Sequence, residues 1–402
     1  MTLTIDIMNK KLTFIFFLIN SLICLSQTEI EINNEKLINN YGTMSVFKAQ
    51  MFHDTIYLAS RALINNLDDN YLFISKIFNG DILTNKLLEL KENEFAYFHD
   101  LVKFKYGYIL VGKAIKHKNV YVSIGYLNNS GSVIWSLKLK KKTESFLKIH
   151  VTVNNIEIFT RSSKGIFRYI LSFDGKILSK EKVPVSDGFT ISVNVFSNNN
   201  YLVLSTIMNE RGETGKYNID LFDHDLNLIN NKIAYFNLYF RPIKIFHYNN
   251  EYIFVGNLLS GNPWIYFLDQ NLTLRKTSYY NYHPEQDKLH CYLHNYHPEQ
   301  DKLHYSLRVN DIELNRQNGS FIASGITTFR YYNTYDITSE RFNIIFELNE
   351  DKILNYKILG KTGGRWENNN VLINNKNFTF FGDYKIIDGL DTEIKMIDFE
   401  IR

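Results

Sequence analysis

Cysteine is almost absent from this sequence. Two occur in 402 residues, and one of them, Cys24, sits in an apolar stretch near the N-terminus. Without that stretch Cys291 stands alone, so no intramolecular disulfide can staple the remaining fold. A chain of this size buries enough surface to fold without one. An excess of one charge sign is missing too. Lys and Arg total 45 against 42 Asp and Glu, a formal net charge of +3. That is too small and too dispersed to indicate nucleic acid as a partner. Compact catalytic motifs are also lacking: no Gly-x-Ser-x-Gly, no phosphate-cradling loop, no kinase or zinc-protease signature. No cofactor is implied.

What the chain does contain is a repeated unit, clearest at residues 101–139. Residues 101–106 alternate apolar and polar, as a half-buried strand does. Gly107 marks a turn, and 108–113 form a second apolar strand ending in Val111 and Gly112. Residues 120–127, rich in β-branched and aromatic types, read as a third strand. The loop Asn128-Asn129-Ser130-Gly131 leads to a fourth, 133–139, with Val133, Trp135, Leu137 and Leu139 on one face. No part of this unit has a helical period. One such sheet cannot bury both of its faces alone, so it must stack on copies of itself.

The copies align on a small residue that ends the apolar core of the second strand. It is Ser60, Gly112, Thr160, Ser205, Gly256, Gly325 and Gly382, at spacings of 45 to 69 residues. Convergence of inner strands near an axis is the expected reason for a small side chain there. Turn chemistry recurs between the third and fourth strands, at 77–83, 172–178, 222–228, 267–274 and 347–354. Asn79-Gly80 and Asp174-Gly175 are hairpin signals. The expected fold is all-β, a seven-bladed β-propeller of four-stranded antiparallel blades. A long β-sandwich or a β-helix is the alternative.

This pattern, with Val-Gly ending the second strand and Val-Ile-Trp-Ser-Leu-Lys at 133–138, resembles the secreted seven-bladed propeller repeat proteins of bacteria. The resemblance covers about residues 44–402. No WD dipeptide ends a blade, no Gly-Gly pair marks the second strands as in kelch repeats, and no sialidase Asp-box occurs. The motifs therefore speak for fold and are nearly silent on function.

Residues 8–26 carry Lys10 and Lys11 and then an apolar run from Leu12 to Leu25. This fits a signal peptide, with Met8 as the natural start and cleavage after Ser26. It is too short and wrongly flanked for a transmembrane span. Ile23 before Cys24 argues against a lipid anchor. The expected organisation is a signal peptide over 1–26, a closing strand within 27–43, and the propeller over 44–402 with an insertion at about 280–306. The last repeat offers only three strands, so the alternating segment 28–38 is expected to supply its outer strand and close the ring. The protein is expected to be exported, to the periplasm, the cell surface or the medium, and to be a monomer.

In a propeller the connections between strands two and three, and those between blades, share one face by resemblance. The long irregular segments fall in these classes: 61–70, 206–216, 280–306, 326–341 and 359–365. Elaborated loops on a rigid ring are where function usually sits. Candidate binding residues there are Arg330, Tyr331, Tyr332 and Tyr335, whose rings could stack on a sugar or clasp a peptide. Packing under their own loop is the simpler reading. Arg241, Arg365 and Trp366 precede first strands near the channel mouth, where an Arg can hold a carboxylate or sulfate, or form an inter-blade ion pair. A tandem copy, NYHPEQDKLH at 281–290 and 295–304, brings His290, His294 and His297 close in sequence. His290 and His294 have a spacing that zinc sites use, yet a solvated insertion is the favoured reading and no metal is expected. Asp100, Asp187, Asp311, Asp383 and Asp388 are carboxylates that nothing in the sequence pairs.

The functional expectation is an exported, non-catalytic binding propeller that recognises a glycan, peptide or envelope protein. Propeller enzymes scatter their residues over several blades, so a polysaccharide hydrolase or lyase is one alternative. A structural part of a cell-envelope complex, docked by the rim, is the other.

Overall fold

The structure, a computed structural model, describes residues 30–401. It leaves out 40–42, 64–69, 91–94, 140–144, 208–214, 258–262, 281–301, 333–336, 362–369, 386–391 and a few single or paired positions. The described residues form seven four-stranded antiparallel sheets. Blade one is β2 (Thr43–Phe52), β3 (Thr55–Leu63), β4 (Asn70–Phe78) and β5 (Asp81–Leu90). Blade two is β6 (Tyr97–Phe104), β7 (Gly107–Lys116), β8 (Asn119–Asn128) and β9 (Val133–Lys138). Blade three is β10 (Ser145–Val151), β11 (Ile156–Ser162), β12 (Gly165–Leu171) and β13 (Ile177–Lys182). Blade four is β14 (Phe189–Val195), β15 (Tyr201–Ile207), β16 (Lys216–Phe222) and β17 (Leu228–Tyr235). Blade five is β18 (Arg241–Tyr248), β19 (Glu251–Asn257), β20 (Pro263–Leu268) and β21 (Leu274–Tyr279). Blade six is β22 (Lys302–Leu314), β23 (Phe321–Tyr332), β24 (Ile337–Leu348) and β25 (Ile353–Lys361). Blade seven takes β26 (Asn370–Asn374), β27 (Asn377–Lys385) and β28 (Thr392–Ile401) from the C-terminal end and β1 (Ile30–Asn39) from the other. The chain is thus a seven-bladed β-propeller. No described helix is long and apolar enough to cross a membrane.

The strand that closes the ring is the one expected. β1 runs antiparallel to β28 from Ile30 opposite Ile401 to Asn39 opposite Ile394. Lys395 Nζ meets Glu35 Oε1 at 2.7 Å across this pair, and Asn85 of blade one donates to the Ile38 carbonyl at 3.1 Å. This pairing covers the outer edge of β28 in blade seven.

Each sheet is apolar on both faces because each is sandwiched between neighbours. The buried hydrophobic residues fall into seven clusters, and each cluster bridges one pair of adjacent blades. Phe159, Tyr201, Val203 and Phe222 join blades three and four, for example. Each fully buried aromatic contributes roughly 1.5–3 kcal/mol. This repetition of one interface lets the fold stand without a disulfide.

The small residue of the second strand has a different cause from the one expected. In blades one to six the innermost strand carries a β-bulge, and the small residue pairs with the position just before it. Ser60 faces Val46, Gly112 faces Phe98, Thr160 faces Phe146, Ser205 faces Thr190, Gly256 faces Pro242 and Gly325 faces Val309. A Cβ on Gly112 would lie 2.1 Å from the Tyr97 carbonyl oxygen. At Gly256 and Gly325 the matching distances, to Arg241 and Arg308, are 2.2 Å. The crowding thus comes from the bulged partner within the same blade, not from convergence of several strands at the axis.

The bulge also re-aims the next side chain. The residues that follow it are Lys48, Asp100, Lys148, Ser192, Lys244 and Asp311. They occupy equivalent positions on the innermost strands, which pack around the axis.

Candidate functional site on the loop face

A four-stranded meander sends its one-to-two and three-to-four turns to one face of the ring, the turn face. The two-to-three connections and the inter-blade segments go to the other, the loop face. On the turn face Arg168 is paired with carboxylate and Lys103 is capped by carbonyls and rings. Arg168 donates through Nε and Nη2 to Glu181 Oε2 at 2.9 and 2.5 Å, and through Nη1 to Tyr201 Oη at 3.3 Å and the His224 carbonyl at 2.5 Å. Fully buried Glu157 accepts from Tyr201 Oη at 2.7 Å and lies 3.2 Å from His150 Nδ1. Buried Lys103 lies over Phe52, Tyr57 and Tyr108 and donates to the Phe104 and Gly107 carbonyls and to Asn129. Burial pulls its ammonium down to about 8, with Lys76 adding to the effect.

Arg161 on the loop face is different. It lies near the end of β11 and donates through Nη1 to the Thr190 carbonyl of blade four. Its guanidinium carbon lies 3.9 Å from the centre of the Phe189 ring, and that residue is 51% exposed. Among the described residues no carboxylate pairs with it. Burial without a counter-charge holds the guanidinium below its ordinary value.

The cleft around Arg161 has a volume of about 810 Å³ and lies between blades three and four. Ser145, Ser162, Lys182, Ser186 and Phe189 help to line it. Its floor is fixed from below. Ser186 N and Oγ donate to the two carboxylate oxygens of Asp220, at 3.0 and 2.6 Å, and Asp220 is fully buried. Gly188, with φ of +138°, lets the inter-blade segment pass close to β15, since a Cβ there would lie 2.7 Å from the Thr206 carbonyl oxygen. None of the described residues lining the cleft is a carboxylate or a histidine. The described lining therefore offers a planar cationic fork, an aromatic ring, the Lys182 ammonium and several hydroxyls.

Among the sequence-predicted residues, Arg330, Tyr331 and Tyr332 belong to β23, so they are strand and not loop. The expected connection over 326–341 is shorter than its sequence suggests, because β22 is long enough to pair β23 out to Tyr332 opposite Lys302. The expected insertion correspondingly gives up residues 302–306 to the first strand of blade six. Phe329 is fully buried against Phe342, the packing reading of that aromatic group. Arg241 opens β18 and is exposed. Tyr335, Arg365, Trp366, His290, His294 and His297 lie outside the described residues, as do residues 1–26. Of the candidate carboxylates, Asp100 and Asp311 stand at the axial bulge positions. Sequence reasoning misses Arg161 and Phe189 because they come from different blades. The available signal was an Arg near the end of a second strand and a Phe opening the next blade.

No protein-family model matches this sequence, and no curated protein matches it. Solved structures align with the chain at low similarity. The β-propeller domain of the Trilobed protease from Pyrococcus furiosus aligns with 10% identity and a TM-score of 0.46, over 90% of this chain and 96% of that one. The WD40 domain of SCAP from fission yeast aligns with 12% identity and a TM-score of 0.43, over 90% and 97%. A subtype N10 neuraminidase-like protein of A/little yellow-shouldered bat/Guatemala/060/2010 gives 9% and 0.42, over 93% and 100%. Likenesses this distant carry no argument about function.

Proposed function

We propose that this propeller is an exported, non-catalytic binding protein that takes an acidic glycan or an acidic peptide on its loop face. The observation that carries the reading is the Arg161 cleft, where a guanidinium with no carboxylate partner among the described residues lies beside an exposed ring, and where the described lining holds no carboxylate or histidine. Arg holds carboxylate and sulfate groups through paired donors, and an aromatic ring stacks on sugars. Export rests on the basic-then-apolar segment at residues 8–26.

A hydrolase would need two carboxylates free to act as acid and as nucleophile or base. One close pair at the axis, Asp311 and Glu313, converges on Lys244 at 3.6 and 2.5 Å. Asp311 also accepts from the Ile312 and Val371 backbone N–H groups, which ties blade six to blade seven. That engagement favours binding over hydrolysis. Docking by the rim draws support from exposed apolar pairs on the outer strands, Val133–Ile134, Ile177–Leu178 and Leu228–Ile229. Changing Ile134, Leu178 and Ile229 to Asp together should abolish capture of an envelope protein if that reading holds.

The test of the main reading is a glycan and peptide array with the full chain, with Arg161→Met and with Tyr332→Ala. Acidic ligands should bind the parent protein and be lost in Arg161→Met. Equal binding by Arg161→Met would sink the assignment. Loss confined to Tyr332→Ala would move the site to blade six.

A further inference from the structure

The axial channel holds another cation with no carboxylate partner among the described residues, and it is reached from the opposite face. Three lysines and two aspartates occupy the bulge positions of blades one, two, three, five and six. Lys48 pairs with Asp100 at 3.0 Å. Lys244 pairs with Glu313 at 2.5 Å and Asp311 at 3.6 Å. Lys148 has no ion-pair or hydrogen-bond partner among the described residues. Burial depresses its ammonium and Lys48 adds to this, while Asp100 opposes it. A cation held in this way gains most from a ligand that brings its own negative charge.

The space beside it suits an organic molecule. The channel cavity has a volume of about 610 Å³, and Lys148, Lys48 and Asp100 line its inner part. Asn315, Arg316 and Gln317, in the β22–β23 turn, line its mouth on the turn face. Val102, Leu372 and Ile373 add an apolar wall. Pockets for small molecules run from roughly 300 to 1,000 Å³. A bare inorganic anion would leave the wall and most of the volume untouched. The carboxylates of Asp100, Asp311 and Glu313 in the same channel repel a dianion more than a monoanion.

We propose that the axial channel, entered from the turn face, binds a small monocarboxylate of the sugar-acid class, with its carboxylate on Lys148 and its hydroxyls toward the amides at the mouth. This site is separate from the Arg161 cleft and does not depend on the function assigned to that cleft.

The experiment is calorimetric titration of the full chain at low salt with glucuronate as probe, and with glucose and inorganic phosphate as comparators. Glucuronate should bind the parent protein. Lys148→Met should weaken it about ten-fold or more, the loss expected for a charge-assisted bond, and Lys148→Arg should keep most of the affinity. Lys176→Met, at an exposed lysine that lines neither cleft nor channel, should leave it unchanged. A measurement without any variant runs beside this: glucuronate, and not glucose, should slow acetylation of Lys148 read by mass spectrometry. The proposal is overturned if the parent protein binds no glucuronate at about 10 mM, a concentration well above a millimolar Kd. It is equally overturned if glucose or phosphate binds as well as glucuronate, if Lys148→Met binds as tightly as the parent, or if Arg161→Met alone abolishes binding.

Discussion

Arg161 and Arg168 stand on adjacent strands of one blade, β11 and β12, and have opposite surroundings. Arg168 points to the turn face and meets Glu181, Tyr201 and the His224 carbonyl, with Glu157 beyond at 3.9 Å. Burial pulls the guanidinium down, but Glu181 and Tyr201 outweigh it and hold it above its ordinary value. Arg161 points to the loop face, meets one carbonyl and one ring, and is held below its ordinary value by burial. The contrast separates two uses of the same side chain. An arginine closed by carboxylates pins neighbouring blades, whereas one with no carboxylate among the described residues keeps part of its fork open.

The comparison can be broken in order of expected effect. Arg168→Met leaves fully buried Glu157 without its guanidinium and should cost about 3–5 kcal/mol in denaturant unfolding; a loss like that of an exposed site would mean the network is not structural. Glu157→Gln keeps the shape but removes the charge that Tyr201 and His150 hold, and should cost about 1–3 kcal/mol.

Acid adds a second test of the same residue. Burial pushes the Glu157 carboxyl up, but bonds from His150 and Tyr201 and the charge of Arg168 outweigh it, so its folded value lies below the ordinary 4.5. A depressed carboxylate stabilises the fold fully above its unfolded value, and that contribution is lost as pH falls through the folded one. Stability should therefore decline below about pH 4.5, and Glu157→Gln should flatten that decline. An identical acid profile in the two proteins would mean that the Glu157 carboxyl is not depressed by folding.

Smaller effects sharpen the picture. Asp223 accepts from the Asn227 backbone N–H at 2.8 Å, and Asp269 accepts from that of Thr273 at 2.9 Å. These two three-to-four turns place Leu226 and Leu272 at φ of +64° and +60°. Asp269→Ala should cost about 1 kcal/mol, measured by thermal unfolding. Arg161→Met should move stability by no more than about 1 kcal/mol, since it gives up one carbonyl bond and one contact with an exposed ring. A large loss there would place Arg161 with Arg168 as a pin.

Much of the architecture could be read from local pattern. Period-2 alternation and turn residues act over a few positions, so blade phase, the seven small residues and the closing strand were all visible. The extent of blade six was not, because whether 326–332 is strand depends on the length of its partner β22. The site was barely legible. Arg161 and Phe189 meet only once blades three and four are docked. Asp100 and Asp311 could be singled out, but not their equivalence to Lys48, Lys148 and Lys244. A weak signal existed: each of these lies a dozen or so residues before the small residue of the second strand. Its meaning becomes clear only when the bulge is seen.

The sequence by itself determined the repeat, the strand order and the source of the closing strand, because these follow from short-range hydrophobic period and turn chemistry. Tertiary structure alone decided which charges are satisfied. The ion pairs around the axis, Lys48 with Asp100 and Lys244 with Asp311 and Glu313, join residues far apart in the chain. Whether Lys148 and Arg161 find a carboxylate depends on where the bulges and blade edges come to rest, which no local rule encodes.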